Sequence, residues 1–112
     1  MVTPGGPELS VTCETSDDGL AHVVVLSGEL DLMTVPAVRA AVSGLEGDVT
    51  IDLRDVSFID STGLGLLLML NARQRQHERT LSLRGVSRKQ YATFALTGIA
   101  DMFDIEPLPA EY

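Results

Sequence analysis

The chain is poor in the residues that tie small proteins together covalently or through metals. Cys13 is its only cysteine, so no disulfide can form within it, which fits a reducing compartment. His22 and His77 are its only histidines, and with one thiol they lack the ligand spacing of a zinc site. Basic residues are also scarce, eight Lys and Arg against sixteen Asp and Glu, for a net charge of −8. That balance argues against direct nucleic-acid binding, because a phosphate backbone needs a basic face. Long apolar runs are missing as well. Leu64 to Leu70 is the longest, far below the roughly 20 residues of a membrane span, and no Lys/Arg-rich start leads into an apolar signal segment. The expectation is a cytoplasmic protein with no membrane insertion.

What is present suffices for one core. With 112 residues and 45% hydrophobic content, the chain is long enough for a single domain and too short for two ordinary ones. Its acid is unevenly spread. Residues 1–60 hold 11 acidic and 2 basic side chains, and residues 61–112 hold 5 and 6. An acidic first half suits a partner with a basic patch, or simply a solvated surface. Arg73, Arg75, Arg79, Arg84, Arg88 and Lys89 form a basic stretch in the second half, readable as an anion-binding cluster or as ordinary helix-end charge.

Pro and Gly punctuate residues 1–7 and the tail 107–112, which are expected to be flexible ends around one domain at 8–106. Leu9 to Glu14 alternates, with Leu9, Val11 and Cys13 inward. After the Ser16-Asp17-Asp18-Gly19 turn, Ala21 to Ser27 should complete a hairpin. Thr34 can cap a helix from Val35 to about Ser43, with Pro36 in its first turn, Val35, Val38, Ala41 and Val42 on one face, and Gly44 ending it. Asp48 to Leu53 reads as a strand. Leu64 to His77 reads as a helix, apolar early and polar late, with Leu67, Met69 and Leu70 inward and Leu64 partly exposed. Leu81 to Leu83 is a short strand. Ser87-Arg88-Lys89-Gln90 has the capping-box pattern and opens a helix that turns Tyr91, Phe94 and Ala95 inward and stops at Gly98. A last strand runs from Phe103 to Ile105. The order ββαβαβαβ predicts an α/β fold: a mixed, mainly parallel sheet with an N-terminal hairpin and flanking helices.

The chemistry concentrates in Val56-Ser57-Phe58-Ile59-Asp60-Ser61-Thr62-Gly63-Leu64-Gly65, where an apolar strand gives way to a helix. The first amides of a helix lack intrahelical partners and carry the positive end of its dipole, so an oxyanion or phosphate is tolerated there. Phosphorylation of Ser61 would add about −1.5 to −2 charges beside Asp60. Ser61 can equally be the N-cap, Asp60 can serve to satisfy the terminal amides, and Gly63 and Gly65 can serve close packing.

Enzymatic readings fail on spacing. Asp60-Ser61-Thr62-Gly63 is superficially like the aspartic protease loop, but that loop has glycine two residues after the aspartate and occurs twice. Ser61 sits in no Gly-x-Ser-x-Gly elbow and has no placed histidine base. Gly63-x-Gly65 is too short for a dinucleotide fingerprint, and no phosphate-binding loop motif occurs. The expectation is a non-enzyme with no catalytic residues, metal or cofactor.

Taken together, these stretches resemble a stand-alone STAS domain of the bacterial anti-sigma factor antagonist family. Ser27-Gly28-Glu29-Leu30-Asp31 resembles that family's segment after the second strand. Ile51 to Gly65 resembles its strand, loop and phosphoacceptor helix start, and Leu96-Thr97-Gly98-Ile99 with Phe103 resembles its closing helix and strand. The resemblance implies a partner switch. The unphosphorylated antagonist binds an ATP-dependent anti-sigma factor serine kinase and frees a sigma factor; the kinase inactivates it by phosphorylating the serine after the aspartate, here Ser61; a metal-dependent serine phosphatase restores it. The implied partner surface is Asp31, Asp60, Ser61, Thr62, Gly63 and Leu64. Asp31 would lie near Ser61 and assist docking or phosphotransfer, or cap the loop before the first helix. The resemblance also admits a STAS adaptor subunit of a membrane transport or larger signalling complex.

Overall fold

In the computed structural model, residues 9–106 are described, so the ends expected to be flexible, 1–7 and 107–112, lie outside the described residues. The elements follow the expected order: β1 (Leu9–Thr15), β2 (Ala21–Leu30), α1 (Val35–Val42), β3 (Asp48–Ile59), α2 (Ser61–Gln76), β4 (Leu81–Arg84), α3 (Arg88–Leu96) and β5 (Asp104–Ile105), with a 3-10 turn at Ala100–Met102 before the last strand. The sheet order is β1-β2-β3-β4-β5. The β1–β2 hairpin is antiparallel and the other three pairings are parallel. None of the helices among the described residues is long and apolar enough to cross a membrane.

One face of the sheet builds the core. Val24, Leu26, Ile51, Leu53, Leu81 and Leu83 alternate inward and join Val35, Val38 and Val42 of α1 and Leu66, Leu67 and Leu70 of α2 in one apolar cluster. Phe94 of α3 joins the same cluster, its ring centroid 5.8 Å from that of Phe103. Val23, Val25, Thr50, Ser82 and Arg84, on the other face, are only half-buried.

Several expectations need correction. Cys13 does not point into the core but is exposed, because β1 is an edge strand and only its first residue, Leu9, is buried. Strand β3 does not stop at Leu53. It runs on to Ile59 because β2 continues beside it to Leu30 through two register shifts, with Gly28 at φ +123°, a conformation that favours glycine. Met69 faces solvent, since the buried stripe of α2 is Gly63, Leu66, Leu67, Leu70, Asn71 and Gln74, and Met69 lies off that period. The same stripe makes the expected polar end partly buried. Asn71 Nδ2 donates to the Met102 carbonyl (2.6 Å), and Gln74 Nε2 donates to those of Gly47 and Thr80 (2.9 and 2.8 Å). In α3 the capping box forms as expected, but the helix rolls onto Phe94 and leaves Ala95 exposed.

The hairpin turn is held by Asp18, whose Oδ1 accepts from the Ser16 hydroxyl (2.6 Å) and the Leu20 amide (2.9 Å). The Ser16 hydroxyl first, and then the Leu20 N–H, hold the Asp18 carboxyl below the ordinary aspartate value. A depressed folded-state value means that this local stabilisation is complete above the unfolded value and is lost as pH falls through the folded one. An NMR titration should therefore show the Leu20 amide moving with a midpoint below the ordinary aspartate value, and Asp18→Asn should abolish that movement. A midpoint at or above that value contradicts the assignment.

Candidate functional site

The site forms where β2 and β3 end side by side, and it is organised by Asp60. This residue is extended (φ −94°, ψ −176°) and is the N-cap of α2, its Oδ1 accepting from the Gly63 amide at 2.8 Å. Its Oδ2 accepts from the Leu32 amide at 3.3 Å, and its own amide donates to the Leu30 carbonyl at 3.1 Å. One carboxylate thus closes the helix and holds the loop that follows β2. The capping role considered for Ser61 belongs to Asp60. Ser61 is the first helical residue, exposed, with no side-chain hydrogen bond among the described residues.

Asp31 does the local work considered for it. Its Oδ1 accepts from the Met33 and Thr34 amides (3.0 and 3.2 Å), which folds the loop before α1. Thr34 does not cap α1 with its side chain. It is 1% exposed, and its hydroxyl donates to the Glu29 carbonyl (2.7 Å) while accepting from the Asp31 amide (2.9 Å). The Gly28-Glu29-Leu30-Asp31 segment therefore has a physical reading: a backbone kink at Gly28, a fully buried anchor at Leu30, and a loop cap at Asp31.

α2 approaches the sheet closely at Gly63, where a Cβ would meet the Leu30 carbonyl oxygen at 2.5 Å and Leu30 Cγ at 2.9 Å. At Gly65 nothing lies within 4 Å, so close packing explains the first glycine and not the second. Thr62 and Leu64 are half-buried. The six residues expected to form the partner surface thus fall on two segments, joined by the Leu32–Asp60 hydrogen bond.

Sequence reasoning missed the apolar rim. Leu32, Met33 and Phe58 are 66%, 68% and 53% exposed around this point. The signal was two large apolar residues in a turn between Asp31 and Thr34, outside any helical or strand period.

Neither histidine lies at this site. His22 is buried at the far end of β2, its Nε2–H donating to the Glu46 carbonyl (2.7 Å) and its Nδ1 hydrogen-bonded to the Thr15 hydroxyl (2.9 Å). His77 follows the other end of α2. Among the described residues, no group of three or more His, Cys, Asp or Glu is arranged to hold a metal ion. The basic stretch is not one patch: Arg73 donates to the Ser43 carbonyl, Arg75 to that of Met102, and Arg84 pairs with Glu106 at 3.2 Å.

A five-stranded sheet with this order and a capped βα junction ending in an exposed serine defines a STAS domain, and a family model described as "Mlab, STAS domain" matches residues 13–107. The chain belongs to the anti-sigma factor antagonist family of such domains. It is 32% identical over 108 residues to the anti-sigma-B factor antagonist of Listeria monocytogenes, covering 92% of this chain and 95% of that one. An anti-sigma factor antagonist from Mycobacterium paratuberculosis superposes with a TM-score of 0.71 at 28% identity, over 88% and 86% of the two chains. The unphosphorylated form of the anti-sigma factor antagonist SpoIIAA, at 22% identity, shares the fold with a TM-score of 0.71 over 88% of this chain and 89% of its own.

The two glycines should separate in denaturation. Gly65→Ala has open space and should stabilise by up to about 1 kcal/mol through helix propensity. Gly63→Ala gains the same propensity but must displace backbone, and overpacking of this kind costs about 1–3 kcal/mol, so it should be net destabilising. A Gly63→Ala variant as stable as Gly65→Ala would remove the close approach as an explanation.

Proposed function

We propose that this protein is an anti-sigma factor antagonist of the partner-switching type, with Ser61 as its phosphoacceptor. The observation that carries this reading is the Ser61 hydroxyl, exposed and without a hydrogen-bond partner among the described residues, at the first position of α2 while Asp60 does the capping. A hydroxyl that the fold does not use can be modified without unfolding the helix. The unphosphorylated protein would dock an ATP-dependent anti-sigma factor serine kinase through Asp31, Asp60, Ser61, Thr62 and Leu64, with Leu32 and Met33 as apolar anchors, and so free a sigma factor; Gly63, expected on that surface, is buried against Leu30 and holds the turn from beneath. The kinase supplies ATP. Its γ-phosphoryl passes to Ser61 Oγ, ADP leaves, and the hydroxyl proton goes to a base on the kinase. The phosphate would sit at the positive end of α2, which tolerates it, and beside the Asp60 carboxylate inside the interface, where an uncompensated charge costs several kcal/mol. A metal-dependent serine phosphatase would return the hydroxyl. The chain supplies an acceptor and a surface, with no catalytic group, acting in the cytoplasm through one domain at residues 8–106.

The names of the relatives support this reading. The exposed rim of Leu32, Met33 and Phe58 would also suit a STAS adaptor held permanently in a membrane transport or larger signalling complex, in which Ser61 stays unmodified.

Incubation with the cognate kinase and ATP should phosphorylate Ser61 and leave Thr62 untouched, as read by peptide mapping. In calorimetric titrations Ser61→Ala should hold the kinase persistently and Ser61→Asp weakly. Equal affinities would dismiss the charge switch and favour the adaptor.

Leu64 and Leu67 provide a second test, since Leu67 is fully buried and Leu64 is only half so. Leu67→Ala should cost roughly 2–5 kcal/mol of stability. Leu64→Ala should melt close to wild type and bind the kinase less tightly. If both unfold the domain alike, Leu64 is core and the docking surface shifts toward Leu32 and Met33.

A further inference from the structure

We propose that the groove between the overhanging end of β3 and the first turn of α3 receives an extended, acidic segment of the protein partner that docks at Ser61. This rests on the docking reading above and adds a second subsite that the reading does not use.

The groove exists because the strands differ in length. β4 pairs only with Val49–Asp52 of β3, so beyond Asp52 the side of β3 facing α3 has no neighbouring strand. Gln90 closes the first part of that edge, its Nε2 donating to the Leu53 and Val56 carbonyls (3.3 and 3.0 Å) while its Oε1 completes the capping box. Past Val56 a cleft of about 200 Å³ opens, lined among others by Ser57, Phe58, Ile59, Lys89 and Thr93. Ile59 directly precedes Asp60 and Ser61, so a partner seated on the serine reaches the cleft within a few residues of extended chain.

Two features select the occupant. The first is shape. A strand edge beside an exposed aromatic ring suits a peptide in extended conformation, which can place alternate side chains against Phe58. The second is charge. α3 opens with Arg88 and Lys89 and carries no acidic residue in its first turn, the reverse of what the positive end of a helix dipole favours. Lys89 is the only charged side chain among the described residues lining the cleft, and it makes no side-chain hydrogen bond or ion pair with them. A partner carboxylate there would compensate both the ammonium group and the helix end. With Asp31 and Asp60 at one end of the footprint and Arg88 and Lys89 at the other, a partner of opposite polarity docks in one orientation only.

The test uses the full chain and its cognate kinase. Lys89→Glu should weaken kinase binding roughly tenfold or more in calorimetry, whereas Lys89→Arg should bind as wild type. Phe58→Ala should also weaken binding; it and Lys89→Arg should keep the wild-type melting temperature because both side chains are exposed, and Lys89→Glu should melt at or slightly above it, since an acidic side chain suits the start of a helix. Hydrogen exchange of the complex should slow at residues 56–59 and 87–93. Wild-type affinity for Lys89→Glu together with unprotected amides at 56–59 overturns the groove, even while phosphorylation of Ser61 still abolishes docking. If the unphosphorylated chain does not bind the kinase at all, the docking reading fails and the groove proposal falls with it.

Discussion

The Asp60 carboxylate is the interaction on which this end of the molecule depends. Its two oxygens are shared between the Gly63 amide of α2 and the Leu32 amide of the loop after β2. Each bond alone would be an ordinary cap or loop contact; from one side chain, they fix two segments distant in sequence to a common point. Asp60 takes only one amide of the first helical turn, so the positive pole of α2 stays available to an anion at Ser61. The Leu30 carbonyl extends the same junction, accepting the Asp60 amide and standing where any side chain at position 63 would have to go.

Much of this could be read from sequence because local signals agreed with the fold. Alternation marked the hairpin, Ser87 and Gln90 marked the start of α3, and the order of elements implied parallel crossovers. The errors arose where tertiary context overrides local pattern. The local pattern supports strand β3 only to Leu53, yet β2 runs on beside it through its bulges and keeps the pairing. Gln74 lies in the stretch expected to be solvated, but its side-chain amide, like that of Asn71, finds backbone carbonyls outside α2, and no sequence pattern encodes that. Within the site, the Asp-Ser pair was legible and the division of labour between its members was not. Either side chain can cap a helix, and only geometry assigns the role.

Unequal strand lengths then decide where the site is presented. β2 and β3 outrun β4, so the αβ layers do not end flush, and Ser61 stands at the carboxyl end of the sheet beyond the last rung of β4. Loops at the carboxyl ends of parallel strands are where α/β folds commonly place their binding surfaces. Here that end carries exposed apolar side chains around a rigid junction, with carboxylates on one flank and cations on the other.

Ser61 itself contributes nothing to the cap that precedes it, and this separates two kinds of selection acting on neighbouring residues. Asp60 and Gly63 answer to folding, so their replacement is filtered in every descendant that keeps the domain. Ser61 answers only to whatever reads or writes on its hydroxyl. A lineage could therefore discard the hydroxyl in one step and inherit an intact, permanently competent binding domain, or regain it later with no compensating change in the core.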